Sequence, residues 1–377
     1  MKIFHLSDLH IGKLVYGYDM EEDQRYVFRQ IIHYVRKKQP DVVVIAGDIY
    51  DKVLPSAKAV KLFDDFLTEL AGEQTAVLVI SGNHDSAERL DYGSRIMEKN
   101  NVYIKGSYDG NAWKVVFEDE YGAVNFYLMP FVKPVDIREY TEEECLDYSQ
   151  AMAIAIEKME LNEQERNVLV AHQNVTNAGK NRKCESEIVT IGNVDNIESW
   201  VFDAFDYVAL GHLHTPQNIG NEKIRYCGTP VIYSMSEASD EKSVTMITLE
   251  DKNRIKTELL PLKQLHKWYD FKGTLKEALN REYNEDYARI MLTDKDVIID
   301  ALHQLRTVYG RLMFMEFETL KSAESDSERT VADVESLSPE QAFADFYRLQ
   351  KGNGLSDENK SYIEKICKEW EAESCDL

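Results

Sequence analysis

A chain of 377 residues, 44% hydrophobic and 29% charged with a net charge of −23, has the composition of a globular protein. It is also longer than one hydrophobic core usually serves, since single cores stop growing near about 250–300 residues. No apolar run reaches the roughly 18–20 residues of a membrane helix, and Met1-Lys2-Ile3-Phe4-His5 runs straight into a strand pattern with no signal-peptide layout. A cytoplasmic protein of more than one domain is expected. Cys145, Cys184, Cys227, Cys367 and Cys375 show no C-x-x-C spacing, so neither a zinc finger nor a disulfide framework is suggested. The acidic charge argues against an avid free-standing DNA binder, because phosphate neutralisation needs basic surface. Bound divalent cations and a partner can still supply a local positive field.

In chain order, the segments 2–6, 41–46, 76–80, 125–129, 167–171 and 206–210 read as strands rich in Val, Ile, Leu and aromatics, several of them apolar throughout, as buried strands are. Between them, 22–38 places Tyr26, Val27, Ile31, Tyr34 and Val35 on one helical face, and 56–70 opens with the Pro55-Ser56 start signal. Strands alternating with helices imply an α/β domain with helix-covered sheets. Residues 269–318 have a strand, helix, strand pattern of their own, with strands at 288–292 and 312–317 around a helix at 295–307. That is a small α/β cap. Residues 322–336 are acidic and Ser-rich and read as a connector. Two short helices are expected beyond it, one opened by Ser338-Pro339-Glu340 and the second capped by Ser356, with aromatic stripes suited to docking. The expected divisions are 1–262, 263–320, 321–337 and 338–377.

Chemistry gathers at the strand ends. Ser7-Asp8-Leu9-His10-Ile11-Gly12 follows the first strand, Gly47-Asp48-Ile49-Tyr50-Asp51 the second, and Ser81-Gly82-Asn83-His84-Asp85 the third. His172 follows the strand at 167–171, and Gly211-His212-Leu213-His214 the strand at 206–210. In open α/β sheets the carboxyl ends of strands form the ligand crevice, so these distant residues can converge. Imidazole, carboxylate and an Asn carbonyl suit Mn, Fe or Zn. Seven such residues (Asp8, His10, Asp48, Asn83, His172, His212 and His214) exceed the needs of one ion. They suit two, with Asp48 as the bridge and open positions for water and substrate. Such a pair hydrolyses phosphoesters. Gly12, Gly47, Gly82 and Gly211 would allow the tight backbone this requires. His84 is left to contact the phosphate or protonate the leaving alkoxide, and Asp85 to orient it.

The ordered set D-x-H, G-D, G-N-H-D, H and G-H-x-H over residues 8–214 resembles the calcineurin-like metallophosphoesterase signature. Asp8-Leu9-His10-Ile11-Gly12, Ala46-Gly47-Asp48-Ile49-Tyr50-Asp51, Ala209-Leu210-Gly211-His212-Leu213-His214 and Tyr226-Cys227-Gly228-Thr229-Pro230 are similar to the SbcD family, nuclease subunits of the bacterial SbcCD complex. Leu337-Ser338-Pro339 with Phe343, Phe346 and Tyr347 resembles that family's segment for its ATPase partner. The resemblance implies a four-layer α/β/β/α sandwich with a DNA-capping domain. It implies two Mn2+ ions, one held by Asp8, His10, Asp48 and His214, the other by Asp48, Asn83, His172 and His212, with His84 as the catalytic histidine. It further implies exonuclease action on duplex ends and endonuclease action on single strands or hairpins, driven by an SbcC-type ATPase in repair, recombination and replication of DNA. A homodimer through helices near 55–100 completes the expectation. Asp51 stands where archaeal and eukaryotic relatives carry His, and its role is left open.

Each motif alone has a plain reading as turn chemistry; their order at successive strand ends is what favours a metal site. His5, His33, His266 and His303 are read as structural or surface residues. The basic loop Lys180-Asn181-Arg182-Lys183 is read equally as a phosphate contact or a solvated run. Two rival functions remain, a small-molecule phosphodiesterase, which the acidic charge favours, and an inactive adaptor, which the full ligand set does not.

Overall fold

The computed structural model describes residues 1–143, 147–187, 195–294, 298–318 and 360. Its main strands, in chain order, are β1 (Lys2–Leu6), β2 (Val42–Ala46), β3 (Ala76–Ile80), β4 (Val102–Lys105), β5 (Trp113–Asp119), β6 (Gly122–Met129), β7 (Arg166–His172), β8 (Tyr207–Gly211), β9 (Gln217–Ile219), β10 (Asn221–Tyr226), β11 (Ser243–Leu249) and β12 (Ile255–Pro261). They form two six-stranded sheets, ordered β12-β11-β1-β2-β3-β4 and β9-β10-β8-β7-β6-β5. In the first sheet β1 to β4 are mutually parallel and β11 joins β1 antiparallel. In the second, β10, β8, β7 and β6 are parallel. Each block of parallel strands therefore turns its carboxyl ends the same way.

The layering follows from the two-residue period of a strand. Val42, Val44 and Ala46 of β2 face the gap between the sheets, where Ala76, Leu78 and Ile80 meet Phe126, Leu128, Val168, Val170 and Ala209. The alternate residues Val43 and Ile45 face α1 (Glu21–Lys38) and α2 (Ala57–Ala71), against Val27, Ile31, Leu62 and Phe66. On the far side, Tyr127, Leu169, Val208 and Leu210 pack on α3 (Tyr148–Glu157) through Met152 and Ile156. The result is the expected α/β/β/α order. Strands apolar on both faces are what such a middle position demands. Ser56 caps α2 by accepting from the Ala59 amide at 3.2 Å.

Six further strands were not legible as such. The edge strand β12 buries little (Leu260 among Lys256, Thr257 and Glu258), and β5 alternates exposed charge with Val115. Polar edges carry weak periodicity.

The chain divides into two compact units. The first comprises Met1–Phe271, Ala278–Ile290 and Leu302–Met315, and holds both large sheets. The second comprises Lys272–Glu277, Met291–Ala301 and Glu316–Leu377; within it Asp294 accepts from the Leu275 amide at 2.7 Å. The strands expected at 288–292 and 312–317 are longer, at β14 (Asn284–Leu292) and β15 (Tyr309–Phe317), and join β13 (Trp268–Gly273) in a three-stranded sheet. Of the helix expected at 295–307, the described residues are helical over Ala301–Arg306, and 295–297 lie outside the described residues. The connector at 321–337 and the docking helices at 338–377 lie, Lys360 apart, outside the described residues. No helix among the described residues is long and apolar enough to cross a membrane.

His5 ties the two sheets together from β1. Its Nδ1 lies 2.8 Å from the Tyr207 hydroxyl and its Nε2 3.1 Å from the Leu210 carbonyl, in complete burial. Burial, aided by Arg225, pushes its pKa down to about 3. A depressed histidine contributes stability present above its unfolded pKa of about 6.5 and lost as the pH falls toward the folded value. The stability advantage of the wild type over His5→Gln is therefore expected to shrink steadily between pH 6.5 and 4 in urea titrations. An advantage independent of pH would contradict this.

Candidate metal centre

Asp8, His10, Asp48, Asn83, His172, His212 and His214 all lie at or just past the carboxyl ends of β1, β2, β3, β7 and β8. Four of them do so in a backbone conformation that non-glycine residues avoid: φ is 52° at Asp8, 44° at His10, 50° at Asp48 and 108° at His212. Such residues persist only where the surroundings over-determine them, and they cluster at functional sites. Here the hydrogen bonds supply that constraint. The Asp8 and His10 amides donate to the carbonyls of Gly47 and Asp48 at 3.0 Å, which locks the first two turns together. The His212 amide donates to both Asp8 carboxylate oxygens at 3.1 and 3.2 Å.

Glycine is required where backbone passes a ligand. A Cβ on Gly82 would lie 2.1 Å from Asp48 Oδ1, and one on Gly47, whose φ is +84°, would lie 2.3 Å from His172 Nδ1.

The donors meet in two groups. Asp8, His10 and His214 bring ligand atoms within 4.8 Å of one another, as do Asp8, Asp48 and His172. Asn83 Oδ1 is 3.1 Å from His172 Nε2 and 3.0 Å from His212 Nδ1. Asp48 Oδ2 lies between the groups, 3.7 Å from His10 Nε2 and 3.4 Å from His172 Nε2.

The tautomers follow from partners that can only accept. His172 Nδ1 donates to the Ala46 carbonyl at 2.8 Å, so in the neutral ring Nε2 turns a lone pair on Asn83 and Asp48. His214 Nδ1 is 2.6 Å from Ser186 Oγ, whose own hydrogen goes to the Glu237 carboxylate. His214 Nε2 is thus also a lone pair, 3.0 Å from His10 Nε2. His10 Nδ1 is buried without a hydrogen-bond partner and lies 3.6 Å from Asp51 Oδ1. The lone pairs of His172 and His214, held out of water beside Asp48 and Asn83, favour positive charge among them. The donor set is of nitrogen and hard oxygen, and it fits divalent Mn, Fe or Zn.

The protonation pattern has the same cause. Burial, reinforced by nearby Asp48, pushes Asp8 up to about 7. Burial would raise Asp48 too, but His172, His10 and His84 hold it well below the carboxylate range. Asp48 and Asp8 in turn lift His172 to about 9 against its burial, while burial lowers His10, His212 and His214.

His84 borders this centre, its ring 4.9 Å from that of His10 at 90°. Its amide donates to Asp48 Oδ1 at 2.9 Å and its Nδ1 to the Asp51 carbonyl at 2.9 Å. The expected orienting role of Asp85 is not what the geometry gives. Asp85 accepts from the amides of Ile49, Tyr50 and Gly82 at 3.1, 2.9 and 2.9 Å and so clamps the second and third turns, while the carbonyl of Asp51 holds the ring. The Asp51 side chain pairs with Lys13 at 2.8 Å. The basic loop has Lys180 exposed and Arg182 paired with Asp240 at 3.4 Å.

Several residues around the centre had no sequence signal. Gln24, buried on α1, donates to the His10 carbonyl at 2.8 Å; Ser7 donates to Asp8; Glu187 accepts from the His214 amide at 2.6 Å. Ser186 and Glu187 sit in a stretch that reads merely as an acidic end to the basic loop.

This is the centre of a calcineurin-like phosphoesterase: that family's model matches residues 1–216, more than half the chain, and the chain belongs to it. A second model, described as the type 5 capsule protein repressor C-terminal domain, the SbcD C-terminal domain, matches residues 261–351. The two matches in this order make the chain SbcD-like. A solved structure described as a dimetal phosphatase from Danio rerio matches with a TM-score of 0.39 and 12% identity, covering 70% of this chain and 99% of its own.

Gly82→Ala is expected to abolish stoichiometric Mn2+ binding in calorimetry, since the new methyl group must displace Asp48. Gly72→Ala, whose Cβ meets nothing nearer than 3.4 Å, should bind as the wild type does. Equal binding by all three proteins would refute the placement of Asp48 at the ions.

Proposed function

We propose that the chain is a two-metal DNA nuclease that cuts duplex ends exonucleolytically and single strands or hairpins endonucleolytically, in partnership with an SbcC-type ATPase. The observation that carries the reading is the convergence of seven donors and His84 at the ends of five strands, in a chain whose second family match is the SbcD C-terminal domain. In this reading Asp8, His10, Asp48 and His214 hold one Mn2+, and Asp48, Asn83, His172 and His212 the other. When bound, such a pair polarises the phosphoryl group and activates water for in-line displacement.

The chain's own groups do the rest. His84, with Nδ1–H fixed on the Asp51 carbonyl, presents Nε2 to the phosphate or to the leaving alkoxide, and as the imidazolium it donates its Nε2 proton there. Asp85 keeps the turns carrying Asp48 and Asn83 in register through its three amide bonds, so its part is positional. Lys13, paired with Asp51 at 2.8 Å, offsets the carboxylate that stands beside His10.

Homodimerisation is supported by an apolar face between 50 and 104. A cavity of about 510 Å3 there is lined by Val53, Val60, Phe63, Leu67, Tyr92 and Met97, and Tyr92, Ile96 and Leu54 stand 86%, 71% and 67% exposed. Patches of this kind call for a cover. A cytoplasmic setting accords with the reading.

End-labelled duplex and hairpin DNA should be cleaved with Mn2+ and spared by His84→Ser, which keeps its metal content. Brisk hydrolysis of a chromogenic phosphodiester with none of DNA would favour a small-molecule phosphodiesterase instead. A chain ending at residue 336 should retain Mn2+-dependent cleavage and lose association with the ATPase; retained association would place the docking segment elsewhere.

A further inference from the structure

Beneath His214 lies a charged network that the centre described above does not employ as ligands. Glu237 and Lys242 form an ion pair at 2.7 Å with both side chains at 0% exposure. Replacing such a pair by apolar residues is often neutral or stabilising, so a buried pair is weak evidence for stability and invites another reason for its presence. The contacts supply one. Glu237 Oε2 accepts from Lys242 and, at 2.9 Å, from Thr229; Oε1 accepts from Ser234 at 2.8 Å and from the Ser186 hydroxyl. Lys242 also donates to the Thr229 hydroxyl at 2.8 Å and to the His214 carbonyl at 3.1 Å. Every bond on Glu237 is one it receives, which leaves the Ser186 oxygen only one way to face His214: as acceptor for Nδ1–H, at 2.6 Å.

We propose that Glu237, acting through Ser186, is a positioning residue that fixes the tautomer and ring orientation of His214, with Lys242 neutralising its buried charge. The inference rests on the reading of His214 as a metal ligand. A carboxylate behind a ligating imidazole orients the ring and raises its basicity, and loss of such a partner typically weakens metal binding about 10–100-fold. Here a serine hydroxyl carries the carboxylate's influence to the ring. The arrangement also explains why residues some fifty positions apart, Ser186 and Glu237, meet at this point rather than at the surface. Lys242 gives the network a second hold on the same residue, through the His214 carbonyl.

The test is Mn2+ calorimetry on the full chain, with the unfolding midpoint of the metal-free protein measured alongside. Ser186→Ala and Glu237→Gln should each weaken one of the two sites about 10-fold or more. The double variant should lose no more than the worse single one, because the two act in series. Glu237→Gln leaves Lys242 unpaired; should it fail to fold, Glu237→Gln with Lys242→Met removes both charges and should fold with the same weakened site. Ser186→Thr, which keeps the hydroxyl, should restore affinity. Folded Ser186→Ala with wild-type Mn2+ affinity would overturn the relay, as would losses that add in the double variant. His214→Ala separates the two ideas. If it weakens binding while Ser186→Ala does not, the relay alone fails; if it too leaves binding unchanged, the assignment of His214 as a ligand fails and the relay with it.

Discussion

The structure turns on one carboxylate. Asp48 stands at the carboxyl end of β2, buried and short of water, with His10 on one side and His172 on the other, and with the His84 amide donating to it. Asp8, His10, Asp48 and Asn83 come from the first sheet, and His172, His212 and His214 from the second. No single sheet holds a complete set. The centre therefore exists only while the sheets are packed face to face, and the bond from His172 to the Ala46 carbonyl makes that packing part of the site. Phe126 and Leu78 in the gap between the sheets are in this sense as necessary to the chemistry as the donors.

That dependence explains how the site tolerates its own cost. Four donors in left-handed backbone conformations cost on the order of 1–3 kcal/mol each, and burying polar groups that face one another costs more. A three-layered apolar interior is large enough to offset it. The strain accompanies a short turn in which Asp8 and His10, two residues apart, bring their side chains toward one point. Cations remove the electrostatic part of the cost, so ion binding and the folded geometry favour each other.

Much of this was legible in the chain. β1 and β3 run over the expected residues, the helix start at Ser56 was signalled by its cap, and the ordering of ligand-type residues after apolar strands pointed to one crevice. What was not legible shares a physical cause: it depends on contacts between residues distant in sequence that leave no local period. Gln24 looks like one more polar position in the first turn of α1, yet it reaches back to the His10 carbonyl. Asp85 looks like a partner for its neighbour His84, yet its carboxylate is filled by three amides from two turns. Ser186 and Glu187 look like the acidic end of a surface loop, and lie against His214. Adjacency in sequence is a poor guide to hydrogen bonding where the backbone turns sharply, because a turn separates neighbouring side chains and brings distant backbone close.

The same distinction between global and local applies to charge. A net −23 counts against binding a polyanion only as far as those charges are felt at the site, and at physiological ionic strength the Debye length is about 8 Å. Carboxylates on distant surfaces are screened beyond that range. At the centre itself Asp8 and Asp48 belong to the donor set, while Asp51 stands 3.6 Å from His10 and is paired with Lys13, so two divalent cations would offset much of the acid that faces them. A phosphoester there would meet a local field set by bound cations rather than by the sum over the chain. Composition thus bears on how tightly the protein alone could hold an extended polyanion, not on the chemistry at one phosphate.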